Sequence, residues 1–290
     1  IKRTLELGAM DYFTKPITPE QMKMIIPLKA GNALKFYDQR KKLKEINHRM
    51  QKELRIAGML QQSLISIKNN FHRAVVHQKY IACEELGGDL FDYVETEQCD
   101  WFMIADITGH GVAASLVASM LKVSFHHAIQ ANSDPAGVLG EINRTFYQLL
   151  EDNPHLCFSV FAGRVTDNIV EYSNAGHPYP ILMSGEPTEW RYMEVNGSLI
   201  GLFEEAAYEN ESCQWYQHDK ILAYTDGLFE SPGENAPHLS FQSVLQHLRM
   251  IPFEVSLHPE LLLEMLLSSF SKTEKKEIQD DIALMLLTHR

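Results

Sequence analysis

The chain has 290 residues, 45% of them hydrophobic and 22% charged, and a formal net charge of −12. That length and composition suit one large domain with its own core plus a smaller element, and they exclude bulk disorder. The acidic balance argues against a nucleic-acid binder, which needs a basic face.

In chain order, residues 1–19 (IKRTLELGAMDYFTKPITP) read as helix, short strand and turn. Leu5 and Ala9 follow helical spacing, Gly8 ends the helix, and Tyr12-Phe13 begin a strand before Lys15-Pro16. This is too little to fold alone. Residues 20–68 read as a long helical linker. Phe36, Leu43, Met50, Ala57 and Leu64 recur every seven residues, which predicts a dimeric coiled coil, although Gln39 and Glu53 interrupt the seam. A helix packed on its own domain is the alternative. Pro27 and Gly31 predict a kink or break near its start.

From residue 69 to 290 the pattern changes to short β-rich runs: AVVHQKYIACEE, CDWFMIADI, CFSVFAGRV, NIVEYSNAG, YPILMS, KILAYTD and IALMLL. Helical stretches interrupt them near 112–130 with 135–151 and near 239–249 with 258–270. Strands in runs with inserted helices predict an α+β layered sandwich. The charge divides at the same place. Residues 1–68 carry 14 Lys and Arg against 6 Asp and Glu, whereas the remainder carries 12 against 32.

No uninterrupted apolar run reaches the roughly 18 residues that span a bilayer. Residues 1–20 lack a signal-peptide pattern. Cys83, Cys99, Cys157 and Cys213 are scattered without a CxxC pair, so reduced thiols in the cytoplasm are expected. The chain begins at Ile1 and is expected to be part of a longer protein.

The chemistry sits in acids at strand ends. Asp89 lies in GGDLFDY, Asp106 in WFMIADITGHGVAAS, Asp226 in ILAYTDGLFE, and Asp280-Asp281 precede IALMLL. Carboxylates at strand ends can converge at one sheet edge. Such oxygen-rich sites suit Mg²⁺ or Mn²⁺. Two such ions about 4 Å apart can generate hydroxide near neutral pH and stabilise a transferring phosphoryl group. Gly87-Gly88 would let backbone approach the site, and Gly227 would permit a tight turn after Asp226. Gly109-His110-Gly111 opens a helix rich in small residues, whose N-terminus adds positive charge nearby. His110 and His177 are weaker candidates for direct chemistry.

The motifs GGDLFDY, ADITGHGVAASL, SNAGHPYPIL, YTDGLFE and DDIALMLL resemble, in order and spacing, the bacterial SpoIIE/RsbU-type branch of the PPM (protein phosphatase 2C-like) family. The resemblance covers residues 70–290. It implies an αββα sandwich of two antiparallel sheets flanked by helices, a dinuclear Mn²⁺ or Mg²⁺ centre, and hydrolysis of phosphoserine or phosphothreonine in proteins. The implied substrate is an anti-sigma-factor antagonist with a STAS domain. By position, Asp89 and Asp106 would contact or bridge the metals with the carbonyl of Ile107 assisting. Asp226 and Asp280 would hold one metal, with Asp281 the alternative to Asp280 and with Gly88, Gly227 and His110 close by. Thr108 stands where eukaryotic relatives place a general-acid histidine, so water or His110 would have to serve.

GAMDYFTKPI resembles the last strand of a two-component receiver domain, with Lys15 as the switch lysine. The implied whole is an RssB-like response regulator, receiver, linker and phosphatase, driven by a histidine kinase. A homodimer through the linker is expected, with no nucleic acid and no membrane as partners. The rival reading is a catalytically weak or inactive adaptor that binds a sigma factor or its regulator. The linker joins the GGD loop within about 20 residues, so its movement is expected to bias metal occupancy by the coupling typical of allostery, roughly 5- to 150-fold.

Overall fold

A computed structural model describes residues 16–65, 68–151, 156–184, 189–229, 241–270 and 280–290. Lys15 and nearly all of the receiver-like segment lie outside the described residues. The chain divides into two compact units, residues 1–56 and 57–290.

Helix α1 (Pro19–Ile65) is continuous for 47 residues. It is not broken at Pro27 or Gly31 as the sequence predicts. Proline removes one backbone hydrogen bond, and neighbours such as Met24, Leu28, Lys29 and Ala30 are good helix formers. The seven-residue seam stays exposed: Phe36, Leu43 and Met50 are each more than half accessible.

The larger unit carries two five-stranded antiparallel sheets. One orders β1 (Ala74–Ile81), β10 (Ile282–His289), β9 (Lys220–Tyr224), β6 (Ile181–Ser184) and β7 (Glu189–Tyr192). The other orders β2 (Leu90–Glu95), β3 (Asp100–Ile107), β4 (Phe158–Val165), β5 (Ile169–Ala175) and β8 (Glu211–Gln214). Helices α2 (Val112–Ala131) and α3 (Pro135–Leu149) pack on the second sheet; α4 (Phe241–Met250), α5 (Phe253–Ser256) and α6 (Pro259–Phe270) complete the chain, with α6 against β1 and β10. The result is the predicted α+β architecture of two antiparallel sheets flanked by helices.

Three strands escaped the sequence reading. β7 (EWRY) and β8 (ESCQ) are four-residue, largely polar edge strands, and β2 (LFDYVE) carries an aspartate in its middle. The polar edge strands β7 and β8 bury little, so they lack the apolar run that announces a central strand. Central strands behave as expected: β3 buries seven of its eight residues and β10 six. Helix α2 is apolar and long enough by composition to cross a membrane, but Val117, Leu121, Phe125 and Ala128 are buried in the core. One apolar cluster lies around Phe102, Phe125, Phe146, Phe158 and Trp215. A second joins Tyr224, Leu284 and Leu286 to Val244, Leu248, Leu262 and Leu266. Together they leave the strand ends bearing the acids as the polar edge of the sandwich.

Candidate metal centre

The two sheets bring the predicted acids to one edge. Asp89 ends the loop before β2, Asp106 is the penultimate residue of β3, Asp226 opens the one-turn 3-10 helix after β9 (Asp226–Leu228), and Asp280-Asp281 lead into β10. Asp89 and Asp106 come from the β2–β3 pair of one sheet, Asp226 and Asp280 from the β9–β10 pair of the other.

Their electrostatics are those of crowded acids. Burial, then Asp226 beside it, pushes the Asp106 carboxyl up to about 9. Burial and Asp106 hold Asp89 well above the usual carboxylate range, opposed by a hydrogen bond from Thr225. Asp280 is raised by burial and by Asp226. Among the described residues, no Lys or Arg pairs with any of these four. A buried group of like charges either keeps protons or recruits cations.

The adjacent acids Asp280 and Asp281 separate cleanly. Asp281 is buried, and both its oxygens accept backbone amides: Oδ1 from Cys83 at 2.8 Å and Oδ2 from Gly88 at 2.5 Å. It holds the 82–89 loop. Asp280 is half-buried, and Asp226 lies close enough to raise its carboxyl. Thr225 orients Asp89: its hydroxyl donates to Asp89 Oδ2 at 2.6 Å and accepts the Ala283 amide at 2.9 Å.

Two glycines are required by close approach. A Cβ on Gly88 would meet the Ile107 carbonyl at 2.8 Å, so the two backbones are in close contact. A Cβ on Gly227 would collide with the Asp281 carbonyl, so Gly227 serves backbone contact and has no unusual dihedral. Gly109 and Gly111 both have positive φ and carry the chain into α2. His110 is about half exposed, with Nδ1 3.2 Å from Glu84 Oε1, and it lies close enough to Asp280 to favour that group's charged form. Thr108 donates to the Cys157 carbonyl at 2.8 Å.

His177 is fully enclosed. Its Nδ1 lies 2.7 Å from Ser159 Oγ, and Ser159 is the cross-strand partner of Asp106. Burial pushes its imidazole down to about 3, so the ring is neutral. The Tyr224 backbone lies near the ring, yet Nε2 makes no well-aligned hydrogen bond among the described residues.

One contact had no sequence signal. Gln61, 7% exposed near the end of α1, donates from Nε2 to the Gly87 carbonyl at 2.6 Å and accepts the Gly87 amide at 3.1 Å. Gly58, one turn earlier, meets the Glu85 carbonyl so closely that no Cβ would fit. A glutamine in a polar helix looks like a solvated side chain; only the fold turns it toward the GGD loop. Thr225 was hidden differently, as the unremarked neighbour of a singled-out Asp-Gly.

The donor set fits a hard cation. It is all oxygen and largely buried, and burial followed by neighbouring acids raises Asp89, Asp106 and Asp280. Among the described residues no three His, Cys, Asp or Glu side chains lie close enough together to hold one metal ion.

The model of the family Stage II sporulation protein E (SpoIIE) matches residues 97–290. The chain belongs to the SpoIIE family. Two proteins of Bacillus subtilis (strain 168) are similar to it. Phosphoserine phosphatase RsbP is 25% identical over 184 residues, 62% of this chain and 45% of RsbP. Phosphoserine phosphatase RsbU is 21% identical over 255 residues, 88% of this chain and 75% of RsbU. The chain thus spans less than half of RsbP. Among solved structures, the SiaA-PP2C domain of Pseudomonas aeruginosa aligns with a TM-score of 0.67 at 20% identity, covering 83% of this chain and 98% of that domain. That likeness shows the PP2C-type fold.

Proposed function

We propose that this chain is a metal-dependent protein serine/threonine phosphatase and the output region of a response regulator. The observation that carries the reading is the four-acid cluster, Asp89, Asp106, Asp226 and Asp280, gathered from both sheets with no Lys or Arg to neutralise it among the described residues. Two Mn²⁺ or Mg²⁺ ions held there would supply a metal-activated water and offset charge on the phosphoryl group. Asp89 and Asp106 would contact or bridge the ions, with the Ile107 carbonyl beside them. Asp226 and Asp280 would hold one ion. Thr225 orients Asp89, and Asp281 and Gln61 hold the Gly87-Gly88 backbone from opposite sides.

The substrate would be a phosphorylated STAS-domain antagonist of an anti-sigma factor in the cytoplasm. The names of the RsbP and RsbU relatives support a phosphoserine substrate. A histidine kinase would act on the receiver portion that Lys15 belongs to, and the exposed heptad seam of α1 would pair two copies as a coiled coil. Movement of α1 would then reach the metal loop through Gln61.

The test is release of phosphate from phosphorylated STAS-domain proteins by the purified chain. Turnover that requires Mn²⁺ or Mg²⁺ and stops with chelator is expected. A folded chain that binds these proteins without turnover in either metal would leave the adaptor reading in its place.

A further inference from the structure

Beside the acids lies an open cleft of about 550 Å³. Asp106 and Asp226 form its polar end. Its walls are Phe158, Pro178, Tyr179, Leu199 and Phe229. No Lys or Arg lines it among the described residues.

The walls are built rather than accidental. Asn174 grips the loop after β5 twice, accepting the His177 amide at 2.7 Å and donating to the His177 carbonyl at 2.9 Å. Ser159 secures the His177 ring from below. Gly176, at φ 71°, packs so tightly under Leu199 that a side chain there would collide with it. The Tyr179 hydroxyl bonds to the Asn196 side chain. The Leu199 segment is itself tied to β4 by paired backbone bonds between Phe158 and Ile200, at 3.3 and 2.9 Å. Two loops from different places in the sequence are therefore held as one apolar wall next to the metal-binding edge.

A phosphoserine delivered to the acids brings its chain with it. Neighbouring residues are about 3.8 Å away along the backbone, so the side chain next to the phosphoserine falls over this wall. Among the described residues the wall carries no Lys or Arg to pair with an acidic side chain, and it offers apolar surface to cover.

We propose that this cleft is a specificity subsite for an aliphatic or aromatic side chain adjacent to the phosphoserine of the protein substrate. The inference rests on the phosphatase reading above and deepens it. Among the described residues the cleft has no Lys or Arg to hold phosphate; bound metal ions would supply that charge, and the subsite would select the sequence around the phosphoserine. Buried apolar contact of this kind discriminates by roughly 10- to 200-fold for small changes in side-chain size.

The experiment compares synthetic phosphoserine peptides that differ in one residue, with Leu, Gly, Asp or Lys placed in turn immediately before and after the phosphoserine. Metal-dependent hydrolysis of p-nitrophenyl phosphate by the same protein monitors the metal centre. At one of the two positions, Leu should exceed Gly in kcat/KM by about tenfold or more, and Asp should be poorest. In Leu199→Ser the Leu-to-Gly ratio should collapse toward one. Equal kcat/KM for all peptides, or a preference for Lys over Leu, overturns the subsite while p-nitrophenyl phosphate turnover keeps the phosphatase reading. A protein that hydrolyses neither peptides nor p-nitrophenyl phosphate overturns the phosphatase reading and this inference with it.

Discussion

The β2–β3 hairpin bears buried aspartates at both ends, and the two ends treat them in opposite ways. At the far end Asp100 is fully buried and satisfied: Arg73 Nη1 lies at 3.0 Å and the Tyr93 hydroxyl at 2.9 Å. Asp92, in mid-strand, meets Lys122 at 2.6 Å and His126 at 2.7 Å. At the near end Asp89 is as buried as Asp92, yet its neighbours are Asp106, Asp280 and Asp281. The same residue type, three positions apart, is a structural ion pair in one case and, among the described residues, an acid without a cationic partner in the other. Buried charge is tolerated when it is paired. Where a fold assembles several acids and supplies no cation, the missing charge is expected to come from a ligand.

Mutation breaks the comparison most sharply. Asp106→Ala or Asp226→Ala should abolish Mn²⁺-dependent phosphatase activity, a loss of about a thousandfold or more by analogy with removing a preorganised electrostatic group. The fold should persist, because the variant relieves repulsion. Asp100→Ala should do the reverse. Stranding Arg73 should cost about 3–5 kcal/mol of stability, while molecules that remain folded keep their metal ligands. Activity and urea denaturation of all three variants are the measurements. Wild-type turnover by folded Asp106→Ala and Asp226→Ala would remove the metal-site assignment.

The second effect is on pH dependence, and its sign follows from the raised acids. Asp106 is pushed up to about 9 in the folded chain, against about 4 for an unfolded aspartate. Between those values the native state binds more protons than the unfolded state. Metal-free stability is therefore full below about pH 4 and declines as pH rises toward 9. Divalent metal should displace the protons and offset that decline. Thermal melts across pH, in chelator and in excess Mg²⁺, test this. Asp106→Asn should flatten the chelator curve; an unchanged slope would show that other groups set it.

The smallest expected effect concerns Gln61, which touches no ligand. Gln61→Ala should shift the apparent Mn²⁺ affinity by roughly 5- to 150-fold, the range of a typical coupling energy of 1–3 kcal/mol. Calorimetric Mn²⁺ titration of the intact chain reads this directly. An affinity identical to wild type would make α1 a passive tether.

Much of this molecule was legible before its structure. Central strands such as β3 and β10 announce themselves because both faces are buried, which demands unbroken apolar runs. The acids announce themselves because carboxylates beside glycine at strand ends have few other uses in such numbers. Local pattern could not reveal β7 or β8, whose polar residues satisfy an edge, nor the continuity of α1 through Pro27. It put Asp280 first but kept Asp281 as an alternative, since adjacent residues share one sequence context.

What the sequence by itself determined is therefore the inventory: two layers of strand, the helices around them, and a surplus of acid without matching base at the strand ends. Those follow from periodicity and residue chemistry, which act over a few positions. What only the tertiary structure decided is the allocation of partners. It gave Asp92 a lysine and Asp100 an arginine, gave Asp281 two backbone amides and left Asp280 close to Asp226. It also turned Gln61 onto Gly87 and set Leu199 over Gly176. These contacts join residues 26 to 198 positions apart or depend on a loop's path, and hydrogen bonds are decided by ångström-scale geometry that no local pattern encodes.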